Sequence, residues 1–198
     1  MHQSTSSSAN EYEAVIKKDD LLAIVVSCSD PTAALPFNLP TVAYQSSSGQ
    51  LSSAQSLQGY LVNSTGNIDF PVIGTIHVAG KTRQQLVDQL KKELTTYMHD
   101  PIVSVKYLNY KITVLGEVAK PGSFTIPNER ITLLEALGLA GDMTVYGKRN
   151  NVLVIREINN KQLHHRVNMN SNDLFSSPVY YLQQNDVVYV EPNKAKAT

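Results

Sequence analysis

Two glycine-marked turn signatures, placed in order between Tyr60 and Gly122, constrain this chain more than any other feature. The first reads Tyr60-Leu61-Val62-Asn63-Ser64-Thr65-Gly66-Asn67-Ile68-Asp69-Phe70-Pro71-Val72-Ile73-Gly74, then Val78-Ala79-Gly80-Lys81-Thr82. The second reads Val114-Leu115-Gly116-Glu117-Val118-Ala119-Lys120-Pro121-Gly122. Gly66 supplies the positive φ that a tight turn demands, and Asn67 beside it tolerates one. Neither signature offers a nucleophile, a phosphate cradle or a metal cage. Both specify backbone shape, so the chain is expected to assemble and bind rather than to catalyse.

Around the first signature the periodicities predict a β-rich half. Val15 to Val26 reads as a strand system turning at Asp19-Asp20, with Leu22, Ile24 and Val26 on one face. Ser27 to Gly59, punctuated by Pro31, Pro36, Pro40 and Ser46-Ser47-Ser48-Gly49, predicts short helices or a contact surface. Tyr60–Asn63 and Ile68–Phe70 are expected to pair as a hairpin, with Gly74 and Gly80 marking further turns. Thr82 and Gln85 form a capping-box pattern. Leu86, Val87, Leu90, Leu94 and Tyr97 then make an apolar helical stripe that His99-Asp100-Pro101 should end. Ile102 to Leu108 follows as a strand carrying Val103, Val105 and Tyr107 on one side.

The second half repeats that logic. Lys111–Val118 and Phe124–Ile126 are predicted strands around Lys120-Pro121-Gly122. Thr132 and Glu135 cap a short helix through Leu137, with Gly141 as its left-handed terminus. Val152–Ile158 and Gln162–Val167 suit a type I′ hairpin at Asn159-Asn160. A last strand, Val187–Val190, is entered at Asn185-Asp186 and stopped by Pro192. Hairpin, short helix, then strands is the order of a β-grasp roll, so the expected class is α+β. Lys18-Asp19-Asp20 and Gln184-Asn185-Asp186 both precede an apolar strand. A shared turn and the plain preference of aspartate for turns both explain that echo.

Composition excludes several classes. Lys plus Arg and Asp plus Glu number 17 each in 198 residues, so no basic excess exists to neutralise nucleic acid. Cys28 is the sole cysteine, which rules out an intrachain disulfide. No apolar run reaches the ~18 residues of a membrane helix. Lys17-Lys18 ahead of Leu21–Cys28 imitates a lipoprotein signal, but Asp19-Asp20 stand at its entrance and the run is short. A buried strand with Cys28 near its end is expected instead.

Catalytic and metal chemistry finds little support. His164 and His165 are adjacent on a predicted strand and so face opposite ways; His77 and His99 fall in separate elements. Asp19-Asp20 lie too close in sequence to flank a glycosidic bond. There is no Gly-x-Ser-x-Gly, P-loop or dinucleotide fingerprint. No catalytic, cofactor-binding or metal-ligating residues are therefore assigned. Glu117 beside Lys120 suits a turn-stabilising or intersubunit ion pair. Tyr107, Tyr110, Tyr180, Tyr181 and Tyr189 have the apolar face and hydroxyl that stack on sugar rings. Strands favour tyrosine anyway, so most are expected in the core or on sheet surfaces.

Taken in order, these segments resemble the Wza-type outer-membrane polysaccharide export family. Tyr12–Val26 resembles its opening tyrosine and Gly-Asp-x-Leu-x-Ile strand, with Asp19 where glycine is usual. Tyr60–Thr82 is similar to its Tyr-x-Val-x-x-x-Gly-x-Ile-x-x-Pro-x-x-Gly run, and His99–Val105 to its Asn-Pro-x-Val-x-Val segment. Val114–Gly122 resembles the Val-x-Gly-Glu-Val-x-x-Pro-Gly hallmark of the adjoining SLBB β-grasp domain. Leu133–Gly141 and Gln184–Pro192 resemble that domain's helix and ending, with Asn185 replacing glycine.

The resemblance implies 1–10 as a disordered linker or chain end, 11–109 as an export domain, 110–192 as one SLBB domain and 193–198 as a tail. It further implies a periplasmic, outer-membrane-associated ring of identical subunits conducting finished polysaccharide. An inner-membrane co-polymerase or chain-length regulator would be the partner. Gly66, Gly74, Gly116, Glu117, Lys120, Pro121 and Gly122 would then be the structural or subunit-contact residues. The family's lipidated cysteine and C-terminal membrane helix are not seen in these residues, and Wza itself carries two SLBB copies. The expectation is a soluble fragment of a longer protein. A β-grasp module binding a small ligand or partner outside export is the alternative, and it gives the first half no task.

Overall fold

A computed structural model describes residues 12–40 and 58–195 of the chain. The expected linker at 1–10, the serine loop at Ser46–Gly49 and the end of the tail lie outside the described residues. The remainder divides into two compact units: one is 15–109, and the other joins 12–14 to 110–195. The class is α+β.

In the 15–109 unit, β1 (Leu21–Ser27) is followed by a short helix, α1 (Pro31–Ala34), and a 3₁₀ turn at Leu35–Phe37. Then come β2 (Tyr60–Leu61), β3 (Asn67–Phe70), β4 (Gly74–His77), α2 (Arg83–Leu94) and β5 (Ile102–Tyr107). The sheet order is β2-β1-β5, antiparallel throughout, with Leu22 opposite both Tyr60 and Tyr107. Period-two alternation buries Leu22, Ile24 and Val26 on β1, and Val103, Val105 and Tyr107 on β5. α2 starts with the predicted reciprocal capping box of Thr82 and Gln85 and buries Leu86, Val87, Leu90 and Leu94. Cys28 follows the last residue of β1 and is half-buried.

Two local expectations for this unit are overturned. Tyr60–Asn63 does not pair with Ile68–Phe70; β2 pairs with β1, while β3 pairs with β4. Asn63 explains the difference. Its Oδ1 accepts from the N–H groups of Thr65 and Asn67, while its backbone donates to Asn67 O and accepts from Gly66 N, so a local turn closes here and no strand ladder continues from it. The helix also stops at Leu94, ahead of His99-Asp100-Pro101, with Thr95 Oγ1 donating back to Lys92 O at 2.6 Å. Tyr97 therefore leaves the apolar stripe, exposed and tilted against Phe37, and Met98 takes the buried place.

The other unit is built on β6 (Lys111–Gly116), β7 (Gly122–Thr125), β8 (Ile131–Thr132), α3 (Leu133–Leu139) and β9 (Gly147–Ile158). β10 (Lys161–Val167), β11 (Tyr181–Leu182) and β12 (Val187–Pro192) complete it. Its five-stranded sheet has the order β10-β9-β12-β6-β7, with β6 and β12 parallel and every other pair antiparallel. First and last strands lying side by side at the centre, with a helix between hairpins, are compatible with the β-grasp order. Ile112 and Val114 of β6, Val152 and Val154 of β9, and Val188 and Val190 of β12 are buried with Leu133, Ala136 and Leu137 of α3. The β9–β10 hairpin turns at Asn159 (φ 51°) and Asn160 (φ 61°), both left-handed as type I′ requires.

Candidate functional site: the glycine-bent turns

The segment between β6 and β7 is held by successive backbone hydrogen bonds. Glu117 N donates to Val190 O, Ala119 N to Asp142 O and Lys120 N to Ala140 O, at 2.8–3.0 Å. Thr144 N returns a bond to Glu117 O, and Val118 bridges Met143. Gly116 makes this closeness possible: it sits at φ 88°, and a Cβ there would overlap the Val190 carbonyl. Glu117, expected beside Lys120, accepts from Thr144 Oγ1 at 2.9 Å. Lys120 and Pro121 project into solvent, and Val145 on the neighbouring turn is 87% exposed. A fixed backbone thus presents exposed side chains.

Gly66 plays the comparable part in the 15–109 unit. At φ 80° it accepts from Val78 N and Ala79 N, and a Cβ would come within 2.5 Å of Ala79 Cβ. Gly74 is exposed at the start of β4, with open space where a Cβ would go. The register pairs Phe70 with Gly74 and Asn67 with His77, which puts Gly66 and Gly74 at opposite ends of one hairpin. Gly66 is a packing glycine; Gly74 is a surface one. Within their own unit, Gly116, Glu117, Lys120, Pro121 and Gly122 share one projecting loop.

The echo noticed at Asp19-Asp20 and Asn185-Asp186 is one turn used twice. Asp19 (φ 67°) and Asn185 (φ 66°) are left-handed, each at a place where glycine was expected. The buried carboxylates of Asp20 and Asp186 then accept from Lys17 N and Gln183 N, both at 2.8 Å.

Asp186 carries a further partner that the sequence reading missed. Arg156 follows Val152 and Val154 on the core-facing side of β9, and its Nε and Nη2 grip the Asp186 carboxylate at 2.7–3.1 Å. The side chains are 6% and 1% exposed. The carbonyls of Pro178 and Tyr181 take further guanidinium protons. Position 156 lies within the predicted strand Val152–Ile158, but nothing in that segment points to a mate thirty positions on.

Beside that pair runs a line of rings. Tyr12 stacks on Tyr181 at 5.2 Å and 5°, Tyr181 meets Tyr180 edge-on at 5.1 Å, and Tyr180 meets Phe175 at 5.5 Å. Burial raises the Tyr12 pKa, against a hydrogen bond from Tyr110 that lowers it. Arg130 hydrogen-bonds the Tyr181 hydroxyl at 2.8 Å, with its guanidinium carbon 4.9 Å from that ring's centre. Of the five tyrosines named from sequence, Tyr107 and Tyr110 are core, Tyr180 and Tyr181 join this cluster, and Tyr189 lies on the sheet surface.

Among the described residues, no group of three or more His, Cys, Asp or Glu side chains could hold a metal ion. No described helix is long and apolar enough to cross a membrane.

Comparison with known proteins agrees with the expected resemblance. The chain is 33% identical over 141 residues to the EPS I polysaccharide export outer membrane protein EpsA of Ralstonia nicotianae (strain ATCC BAA-1114 / GMI1000), covering 69% of this chain and 37% of that protein. It is 33% identical over 129 residues to the protein of the same name from Ralstonia solanacearum, covering 64% and 34%. The chain thus spans little more than a third of the length of these relatives. The SLBB domain model matches residues 110–190, and the model for polysaccharide biosynthesis/export proteins matches residues 8–108. The chain belongs to the polysaccharide biosynthesis/export protein family.

Proposed function

We propose that this chain is the periplasmic part of an outer-membrane polysaccharide export protein, working as a conduit subunit and not as an enzyme. Residues 11–109 act as the export domain and 110–192 as the SLBB domain. Identical subunits close into a ring, since a head-to-tail contact repeated by rotation gives a closed channel. The carrying observation is the loop from Gly116 to Gly122, whose backbone N–H groups from Glu117 to Lys120 are all engaged from within while Lys120 and Pro121 face outward. A loop fixed before contact loses little entropy on docking. Gly74 at the tip side of its hairpin offers a second such contact. An inner-membrane co-polymerase would deliver the polymer and set its direction.

Deleting the gene in its host and assaying cell-surface polysaccharide tests the reading. Loss of surface polymer, restored by the wild-type gene, is expected; unchanged secretion would overturn it. Light scattering and electron microscopy of the detergent-extracted protein test the ring. A monomer at every concentration would remove that part of the proposal.

A further inference from the structure

Resting on the export reading, we propose that Phe175, Tyr180, Tyr181 and Arg130 form a docking surface for acidic sugar residues, of the hexuronate kind, in a passing polysaccharide. The chemistry starts from the rings. Phe175 lies in the 3₁₀ turn Asn172–Ser176 with 53% of its surface exposed, although nothing about a short polar turn requires an outward phenylalanine. Tyr180 sits edge-on between Phe175 and Tyr181 and is half-buried. Tyr181, with Tyr12 stacked on its ring and Arg130 over it, is the support, while Phe175 and Tyr180 keep part of their surface in water. Such a strip gives the C–H face of a pyranose an apolar platform, and the Tyr180 hydroxyl adds a polar handle.

Arg130 supplies the charge selection. It is exposed, and its interactions among the described residues are with Tyr181: the hydroxyl at 2.8 Å and the ring at 4.9 Å. No carboxylate among the described residues pairs with it. A guanidinium has five N–H donors in a planar fork, and the tyrosine hydroxyl occupies one nitrogen. The remaining edge can take a carboxylate bidentately. Cation–π contact with Tyr181 and the hydroxyl bond hold that fork against the aromatic strip. The buried Arg156 a few residues away in space is different in kind, because Asp186 already neutralises it. Among the described residues, Arg130 is thus the cation of this surface left for an outside anion.

Such a surface suits transport because it is shallow. Stacking on partly exposed rings plus one solvent-screened ion pair gives weak, fast-exchanging contact, which a moving polymer requires.

The isotope-labelled chain titrated by NMR with oligogalacturonate, and separately with neutral maltooligosaccharide, tests the idea. Millimolar oligogalacturonate should shift amides near Arg130, Phe175 and Tyr180, with the neutral sugar binding about tenfold more weakly. Arg130→Gln should abolish that preference, and Phe175→Ala should weaken both sugars. Both positions are exposed, so the fold should survive, and the unperturbed remainder of the spectrum checks it. Absence of shifts at these residues, or equal binding of both sugars unaffected by Arg130→Gln, would overturn the proposal. Secretion in the deletion strain reads separately: a protein that restores export yet ignores oligogalacturonate loses this surface and keeps its function.

Discussion

Asp20 and Asp186 close the same turn in the two units, each carboxylate accepting at 2.8 Å from the backbone N–H three residues earlier. In each case the residue before the aspartate is left-handed and is not glycine. Relief of that strain is available by substitution. Asp19→Gly and Asn185→Gly should each raise stability by roughly 0.5–1 kcal/mol, less than the full left-handed penalty because Asp and Asn tolerate it best. Urea denaturation with unchanged m-value checks both. A loss of stability would mean that the side chains at 19 and 185 do more than occupy the turn.

Arg156 and Asp186 should tolerate joint removal far better than separate removal. Arg156→Ala or Asp186→Ala leaves its mate charged and buried, which costs about 3–5 kcal/mol. The double change Arg156→Met with Asp186→Leu should recover the part due to the unpaired charge, while the Gln183 N–H and the Pro178 and Tyr181 carbonyls still lose their partners. Chemical denaturation of the three variants measures the coupling. Equal losses in single and double variants would contradict it.

Glycines of one loop should divide sharply. Gly116→Ala drives a methyl into the Val190 carbonyl from a left-handed backbone, so a loss of at least about 2 kcal/mol or outright misfolding is expected. Gly122→Ala meets nothing within 4 Å and has no positive φ, so stability should stay within about 0.5 kcal/mol. Thermal melts separate the two. Under the ring proposal, assembly defects with a bulky residue at 122 would then report contact rather than folding.

Tyr60 gives a pH prediction. Its hydroxyl is buried without a hydrogen-bond partner among the described residues, and burial pushes its pKa up to about 12. The unfolded chain releases that proton near 10 and the folded chain near 12. Between those values the folded state holds more protons, so this contribution is complete below pH 10 and declines as pH rises toward 12. Tyr60→Phe should keep the 5.5 Å contact with Phe70 and change neutral-pH stability by no more than about 1 kcal/mol. It should also flatten that alkaline decline relative to wild type. An identical pH profile for both proteins would refute the assignment.

What sequence made legible was local. Both capping boxes, the Asn159-Asn160 turn and the apolar faces of β1, α2 and β5 depend on residues within a few positions of one another. The bend at Asn63 misled because turn residues look alike whether a strand ladder continues from them or a local turn closes there. Tyr97 misled because helical spacing continues past Leu94 after the backbone has stopped being helical. Arg156 and Arg130 were invisible for another reason. Their partners Asp186 and Tyr181 arrive only when distant strands come together, which no window on the sequence contains. Family resemblance filled part of that gap, since the order of turns encodes topology that single turns do not.

The stacking of Tyr12 on Tyr181 sets a schedule for synthesis. Tyr12 leaves the ribosome ahead of 15–109, yet its resting place is finished only after β11 has been made. Until then the growing chain carries an orphaned aromatic while 15–109 is free to collapse alone. The later of these two units is therefore the one that must reach back across 15–109 for Tyr12.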